Sequence, residues 1–244
     1  MKINIKRFSK ENPLANKVNQ YEVNEENLLK ALFEIKTNID STLTFRCGCK
    51  SGVCGSCAVR INGIERLACK TKIKNDDLIE PIRNSSIIRD LVVDVSHETF
   101  LIKKTSSFIE ENQDTKISQK DINIIDLQSN CILCNSCYSS CPVYDVNKDF
   151  LGPFALTRAL RYVNDKKNAS RANIVDSIQA NGIWDCTLCC ACTLVCPQGI
   201  DPKADIMQLQ NISVQNGYSN PNMQTLDFGT NFDDGFGGFN PNGF

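Results

Sequence analysis

The sequence predicts an α+β fold in two consecutive domains, a strand-rich half followed by a helical half. Three observations predict it. The cysteines fall into three spaced groups, one before residue 70 and two after residue 130. Apolar residues alternate at the start, as in Ile3 and Ile5, whereas after Arg89 the pattern takes a helical period. Between two short apolar runs, Asn62-Gly63 is a hairpin turn signal.

Taken in order, Met1–Phe8 reads as a strand, with Tyr21–Val23 as its partner beyond a turn at Asn12-Pro13. Asn27–Lys36 carries Leu28, Leu29, Leu32 and Phe33 on one helical face. A cysteine loop follows, then strands at Cys57–Ile61, Ile64–Cys69 and Leu78–Pro81. Strands, one helix and a metal loop within residues 1–96 suggest a β-grasp [2Fe–2S] ferredoxin domain. Asp90–Val95 reads as a connecting strand, Phe100–Glu111 as a helix and Thr105–Gln119 as a polar, exposed stretch. Helices are expected at Gly152–Asp165, Arg171–Asn181 and Pro202–Asn211, which makes residues 97–215 an α-helical two-cluster ferredoxin domain. Residues 216–244 are rich in Gly, Asn and Phe and read as a disordered tail.

The cysteine spacings carry the chemistry. Cys49-x4-Cys54-x2-Cys57 followed by Cys69 is the plant-type spacing of a [2Fe–2S] site. Gly48, Gly52 and Gly55 in that loop permit close approach of backbone N–H groups to sulfur. Cys131-x2-Cys134-x2-Cys137-x3-Cys141-Pro142 and Cys186-x2-Cys189-x2-Cys192-x3-Cys196-Pro197 are two bacterial ferredoxin runs. In such runs three closely spaced cysteines reach three irons of one cubane, and the cysteine before proline serves the other. The expected [4Fe–4S] ligand sets are therefore Cys131, Cys134, Cys137 and Cys196 for cluster A, and Cys186, Cys189, Cys192 and Cys141 for cluster B. Cys47 and Cys190 are left as free thiols, with Cys190 an alternative to Cys189.

Other chemistries fit less well. Structural zinc prefers pairs of cysteine pairs over triplets followed by Cys-Pro. Cys54-Gly-Ser-Cys57 alone would suit a redox dithiol, but Cys49 and Cys69 flank it at ferredoxin spacing. No signal peptide or membrane-length apolar run is visible, and 14 cysteines suit cofactor loading in a reducing compartment. A formal net charge of −1 implies no attraction to nucleic acid. No nucleophile–base pair or phosphate loop is visible, which favours an electron conductor over a catalyst. His97 reads as a surface residue, Trp184 as packing over a cluster, and Lys50, Arg60 and Arg66 as either a solvated face or one facing an acidic partner.

The cysteine groups, together with Arg46-x-x-Cys49, Cys54-Gly55-Ser56-Cys57, Asp90-Leu91-Val92-Val93-Asp94, Trp184-x-Cys186 and Asp201-Pro202, resemble the iron–sulfur subunit of succinate dehydrogenase and fumarate reductase. The resemblance spans roughly residues 1–215. It implies an electron-transfer subunit without a substrate site, placed between an FAD-containing flavoprotein that interconverts fumarate and succinate and a quinone-side subunit. Common members have an aliphatic residue where Cys189 stands, which leaves them a [3Fe–4S] cluster; they carry quinone-site residues where Val146 and Thr187 stand. Those departures resemble the non-standard branch, in particular the methylmenaquinol:fumarate reductases, whose third subunit is cysteine-rich and similar to that of heterodisulfide reductases. The branch implies two [4Fe–4S] clusters and a peripheral position at the cytoplasmic membrane, with the periplasmic face reached by co-export with the flavoprotein. Other expectations are an iron–sulfur subunit of a thiol-coupled fumarate reductase, or a free ferredoxin-type carrier.

Overall fold

A computed structural model describes residues 1–9 and 17–221. The Asn12-Pro13 turn and residues 222–244 of the Gly/Asn/Phe-rich tail lie outside the described residues. In the N-terminal half, strands β1 (Lys2–Lys6), β2 (Val18–Glu22), β3 (Ala58–Ile61), β4 (Ile64–Leu67) and β5 (Leu78–Glu80) form one sheet in the order β2-β1-β5-β3-β4. Only the β1–β5 pair is parallel. Alternation explains the burial: Ile3 and Ile5 point inward at 0% exposure while Lys2 and Lys6 face solvent. Helix α1 (Leu28–Glu34) lies on the buried face through Leu28, Leu29, Ala31 and Leu32. Its N-cap Asn27 accepts from the Lys30 N–H and donates to the Cys69 carbonyl at 3.0 Å.

That capping contact corrects one expectation. Cys69 is not on a strand: β4 stops at Leu67, and Ala68–Lys70 forms a 3₁₀ turn held by α1. The partner of β1 also begins earlier than expected, at Val18. A small hairpin of β6 (Ile87–Arg89) and β7 (Val92–Val93) replaces the single connecting strand, turning at Asp90. Asp90 is 2% exposed, and its carboxylate receives the Arg7 guanidinium and the backbone N–H groups of Phe8 and Thr44.

The C-terminal half is helical, as expected: α2 (Ser96–Lys104), α3 (Gln119–Ser129), α4 (Ser136–Ser140), α5 (Pro142–Val146), α6 (Pro153–Val163), α7 (Arg171–Ser177), α8 (Ala191–Leu194) and α9 (Pro202–Gln215). Helix α6 is its axis, with Phe154, Ala155, Leu156, Ala159, Leu160 and Val163 all buried, and it packs on α9, α3 and α7. The structure differs from the expected boundaries in five places. Helix α2 starts four residues before Phe100 and ends at Lys104, because Glu98 is buried where the apolar period predicts a hydrophobe. Helix α3 was not expected; it rests on a capping box between Ser118 and Asp121 and buries none of its residues. Thr105, expected in an exposed stretch, is 0% exposed. Helix α7 ends at Ser177, where Ala180, Asn181 and Gly182 leave helical geometry, and α9 continues to Gln215.

Candidate metal centres

The loop carrying Cys49, Cys54 and Cys57 joins α1 to β3, and Cys69 returns on the turn after β4. Antiparallel pairing of β3 and β4 brings the last two together, since the Ala68 N–H donates to the Cys57 carbonyl at 3.0 Å. Within the loop, backbone N–H groups aim at sulfur. Ser51 and Val53 both donate to Cys49 Sγ at 3.4 Å, and Cys49 donates to Cys54 Sγ at 3.4 Å. A Cβ added at Gly48 would stand 2.9 Å from Cys54 Sγ, so the sulfur lies against bare backbone. Hydrogen bonds from Ser51, first from its side chain and then with Val53 from the backbone, hold the exposed Cys49 thiol down at about 6. Cys57 is the opposite case: burial raises it to about 11.

In the helical half the cysteines wall two apolar hollows. One is lined by Cys131, Cys134, Cys137 and Cys196 with Phe154, Ile200 and Pro202. The other is lined by Cys141, Cys186, Cys189 and Cys192 with Val143, Phe150 and Ile206. Each wall thus takes three cysteines from one run and the cysteine before proline from the other. Burial raises Cys131 to about 11 and Cys192 to about 12, and it pushes Cys137 well above the ordinary thiol value. Cys137 also feels the charge of Cys192 from the neighbouring hollow, as expected of adjoining sites whose helices α4 and α8 pack together.

The two runs repeat in backbone as well as in spacing. Leu133 and Asn135 have φ of 52° and 63°; Leu188 and Cys190, 55 positions later, have 54° and 65°. Cys190 therefore occupies the turn position of Asn135, and Cys189 that of Cys134. The thiols of Cys141, Cys186 and Cys192 are each influenced by Cys189. Cys190 lines the same hollow, with its sulfur 3.8 Å from the Leu188 carbonyl.

The donor set fits iron–sulfur clusters. Four thiols surround each apolar hollow, and among the described residues no three His, Cys, Asp or Glu side chains converge on one ion-sized point. A single zinc requires donors about 2.3 Å from one centre, whereas a cubane spreads its thiolates, one to each iron.

The cysteine loop of the sheet half is seated on the helical half. Gly55, at φ +72°, leaves no room for a side chain: a Cβ there would lie 2.8 Å from the Ile132 carbonyl oxygen and from Cys134 Cβ. Buried Ser139 on α4 accepts from the Arg83 N–H at 2.8 Å and donates to Glu65 at 2.6 Å. Gln198, beside Cys196-Pro197, donates to the Gly52 carbonyl at 3.0 Å. Cys49–Cys57, the hollow of Cys131 and the hollow of Cys186 thus follow one another through the molecule.

The remaining residues are settled by their contacts. Arg60 does not form part of a solvated or partner-facing surface; it is nearly covered and lies between Glu65 and Glu80. Lys50 stacks over the Phe33 ring at 5.1 Å, and Arg66 is exposed at the rim of a cleft between the halves. Trp184 donates to Gln179 at 2.9 Å and packs on the helical core near Cys186. Val146 is 86% exposed at the end of α5, and Thr187 lies on the rim of the second hollow. His97 is exposed, as expected, yet its Nδ1 lies 2.9 Å from the buried Tyr144 hydroxyl. No spacing signal marks Glu98, Ser139 or Tyr144, because their roles depend on contacts between distant segments. No helix among the described residues is long and apolar enough to cross a membrane.

Comparison with known proteins agrees with this geometry. Residues 2–99 match the model of a 2Fe-2S iron-sulfur cluster binding domain, and residues 128–200 that of a 4Fe-4S dicluster domain. The chain is 36% identical over 194 residues to a fumarate reductase iron-sulfur subunit of Mycobacterium tuberculosis, covering 74% of this chain and 78% of the relative. It is 34% identical over 212 residues to an 8-methylmenaquinol:fumarate reductase iron-sulfur subunit of Wolinella succinogenes, covering 80% of this chain and 66% of that one. Among solved structures, a chain of the Sdh1 complex of Mycobacterium smegmatis in the apo form superposes with a TM-score of 0.77 at 24% identity, covering 89% of this chain and 97% of that one. This last likeness establishes the fold.

Proposed function

Because the chain belongs to the family of iron–sulfur subunits of fumarate reductases and succinate dehydrogenases, we propose that it relays electrons between a flavoprotein interconverting fumarate and succinate and a quinol-side subunit. Its role is that of an electron-transfer subunit of an oxidoreductase complex. One observation carries the assignment: two adjoining apolar hollows, each walled by four cysteines drawn from both runs, with a third cysteine loop seated against the first.

Cys49, Cys54, Cys57 and Cys69 would hold a [2Fe–2S] cluster. Cys131, Cys134, Cys137 and Cys196 would hold one [4Fe–4S] cluster, and Cys186, Cys189, Cys192 and Cys141 a second. When bound, the clusters supply one-electron storage at potentials set by cluster type, hydrogen bonds to sulfur and solvent exposure. The chain's own groups do the rest. The N–H groups of Ser51 and Val53 offset negative charge at Cys49, and those of Leu188 and Tyr144 do so at Cys186 and Cys141. Phe154, Ile200, Phe150 and Ile206 keep water from the buried sulfurs. Gly55 lets the first two sites approach.

A thiol at Cys189 supports four irons in the second hollow, and the aliphatic exposure of Val146 supports a quinol-side partner other than that of the common members, cysteine-rich and membrane-associated. Export to the periplasmic face would be directed by the flavoprotein. The test is anaerobic purification of the complex with iron analysis and electron paramagnetic resonance. The expected content is about ten irons per chain, two from the plant-type site and four from each cubane, with no three-iron signal. Cys189→Val then creates a three-iron signal while Cys190→Ser does not. Zinc in place of iron, or a three-iron signal in the unaltered protein, overturns the proposal.

A further inference from the structure

The buried group that electron relay leaves unused is Glu98. It stands on α2 at 1% exposure, on the face that also buries Leu101. Its Oε1 accepts from Ser85 at 2.6 Å and from the Tyr144 hydroxyl at 3.1 Å. Its Oε2 is buried and has no hydrogen-bond partner among the described residues. One oxygen of this buried carboxylate thus receives two hydrogen bonds and the other none.

The second hollow supplies that charge. Tyr144 is 1% exposed, and its backbone N–H donates to Cys141 Sγ at 3.4 Å. The same residue that touches Glu98 with its hydroxyl therefore touches a wall of the hollow with its backbone. The hydroxyl also meets His97 Nδ1 at 2.9 Å, and the His97 ring is open to solvent. The result is an unbroken line from water to a buried carboxylate, through a tyrosine whose backbone meets Cys141.

We propose that Glu98 takes up a proton when the group held at Cys141, Cys186, Cys189 and Cys192 is reduced, and that His97 and Tyr144 deliver it. The inference rests on those four cysteines holding a cluster. The step balances. One electron arrives from the quinol-side donor and one proton from solvent. With Glu98 ionised, His97 Nδ1–H donates to the Tyr144 oxygen and Tyr144 donates to Glu98. A proton binds at the solvent side of the ring, on His97 Nε2. The Nδ1 proton passes to Tyr144, and the Tyr144 proton passes to Glu98 Oε1. His97 ends as the Nε2–H tautomer, accepting from Tyr144, and Tyr144 accepts from the neutral acid. Every hydrogen bond of the line exists in both states, reversed.

The other charged groups nearby do not replace it. Lys148 lies over the Tyr144 ring at 4.4 Å and donates to the Asn84 carbonyl. Tyr138 on α4 packs edge-on against Tyr144, and burial raises it well above its ordinary range. Lys104 pairs with Asp149. On α6, Arg158 and Arg161 turn to Tyr162 and Asp165. Ser85 is the polar contact from the sheet side.

The test is a redox titration of the intact, cluster-loaded complex between about pH 5 and about pH 9, the span reached by buried carboxylates. Each cluster is followed by its own resonance signal, and the second hollow is identified by the change that Cys189→Val makes there. The expected result is a midpoint for that hollow that falls as pH rises, approaching tenfold in the equilibrium per pH unit, or about 59 mV for one electron. The other two midpoints stay level, and in Glu98→Gln all three do. Infrared difference spectra of the unaltered complex provide a check that requires no variant: a protonated carboxyl band, shifted in heavy water, appears on reduction. Tyr144→Phe keeps the slope and slows re-equilibration after a pH jump; an unchanged rate removes His97 and Tyr144 from the route. A level midpoint in the unaltered complex, a slope that survives in Glu98→Gln, or no carboxyl band overturns the proposal. Absence of any signal from the hollow overturns the cluster assignment itself, a distinguishable failure.

Discussion

The exposed cysteine loop of the sheet half and the buried hollows of the helical half solve one problem in opposite ways. Both must stabilise thiolate sulfur. The loop does it with backbone: donors from Ser51 and Val53 hold Cys49 near 6, and the site stays open to solvent. The hollows offer mostly apolar walls, and burial raises Cys131 to about 11 and Cys192 to about 12. At Cys49, though not at the buried Cys57, the loop is prepared for negative charge before any metal arrives. The hollows resist it until metal supplies the compensating charge. A site built from local hydrogen bonds can form on its own; a site built from burial depends on the fold around it.

The largest expected effect breaks the buried side of this contrast. Cys137→Ala removes a thiol from the deep wall of the first hollow. It should abolish the resonance signal of that cubane and loosen α4 against α8, measured by hydrogen exchange, while the plant-type signal persists. Loss of the plant-type signal as well would mean that the two halves do not load separately.

A smaller effect is expected where the two designs meet. Gly55→Ala forces a side chain into a left-handed position with 2.8 Å contacts, a strain of about 1–3 kcal/mol. Thermal unfolding should shift down, and electron transfer between the loop and the first hollow should slow in flash-reduction kinetics. Ser139→Ala leaves the Arg83 N–H and one Glu65 hydrogen bond unsatisfied, at a cost of about 1–3 kcal/mol. Arg60 still covers Glu65, so the lower end of that range is expected in chemical denaturation.

A pH dependence separates loaded from cluster-free protein. In the folded, cluster-free chain burial raises Cys57 and Cys131 to about 11 and Cys192 to about 12. An unfolded thiol ionises near about 8.5. Raised folded values favour the neutral thiol, so their stabilisation is complete below the unfolded value and is lost as pH rises through about 11 to 12. Stripping the iron should therefore introduce a decline in denaturant midpoint above about pH 8.5 that the loaded protein lacks.

The contrast also explains what could be read from the sequence. Ligand spacing is local, so the sequence alone singles out twelve candidate cysteines, and the structure gathers eight of them around two hollows. The alternation of Ile3 and Ile5 and the apolar stripe of α6 were equally plain. Helix α3 escaped because it buries nothing, so it has no apolar period anchored in a core. The apolar period misses the start of α2 because Glu98 occupies a core position, and it extends β4 to Cys69 because the capping bond from Asn27 comes from 42 residues away. For Glu98 and Cys69 the deciding partner is remote in the chain.

The exchange of Cys141 and Cys196 between the hollows has a consequence for biosynthesis. On the ribosome the first site has all its sulfurs once Cys69 emerges, long before translation ends. The first cubane hollow lacks a wall until Cys196 is made, and the second until that same stretch of chain has folded back on Cys141. On the proposed ligand assignment, iron delivery to the nascent polypeptide would be staged, with an early plant-type acceptor and a late, paired acquisition at the two hollows.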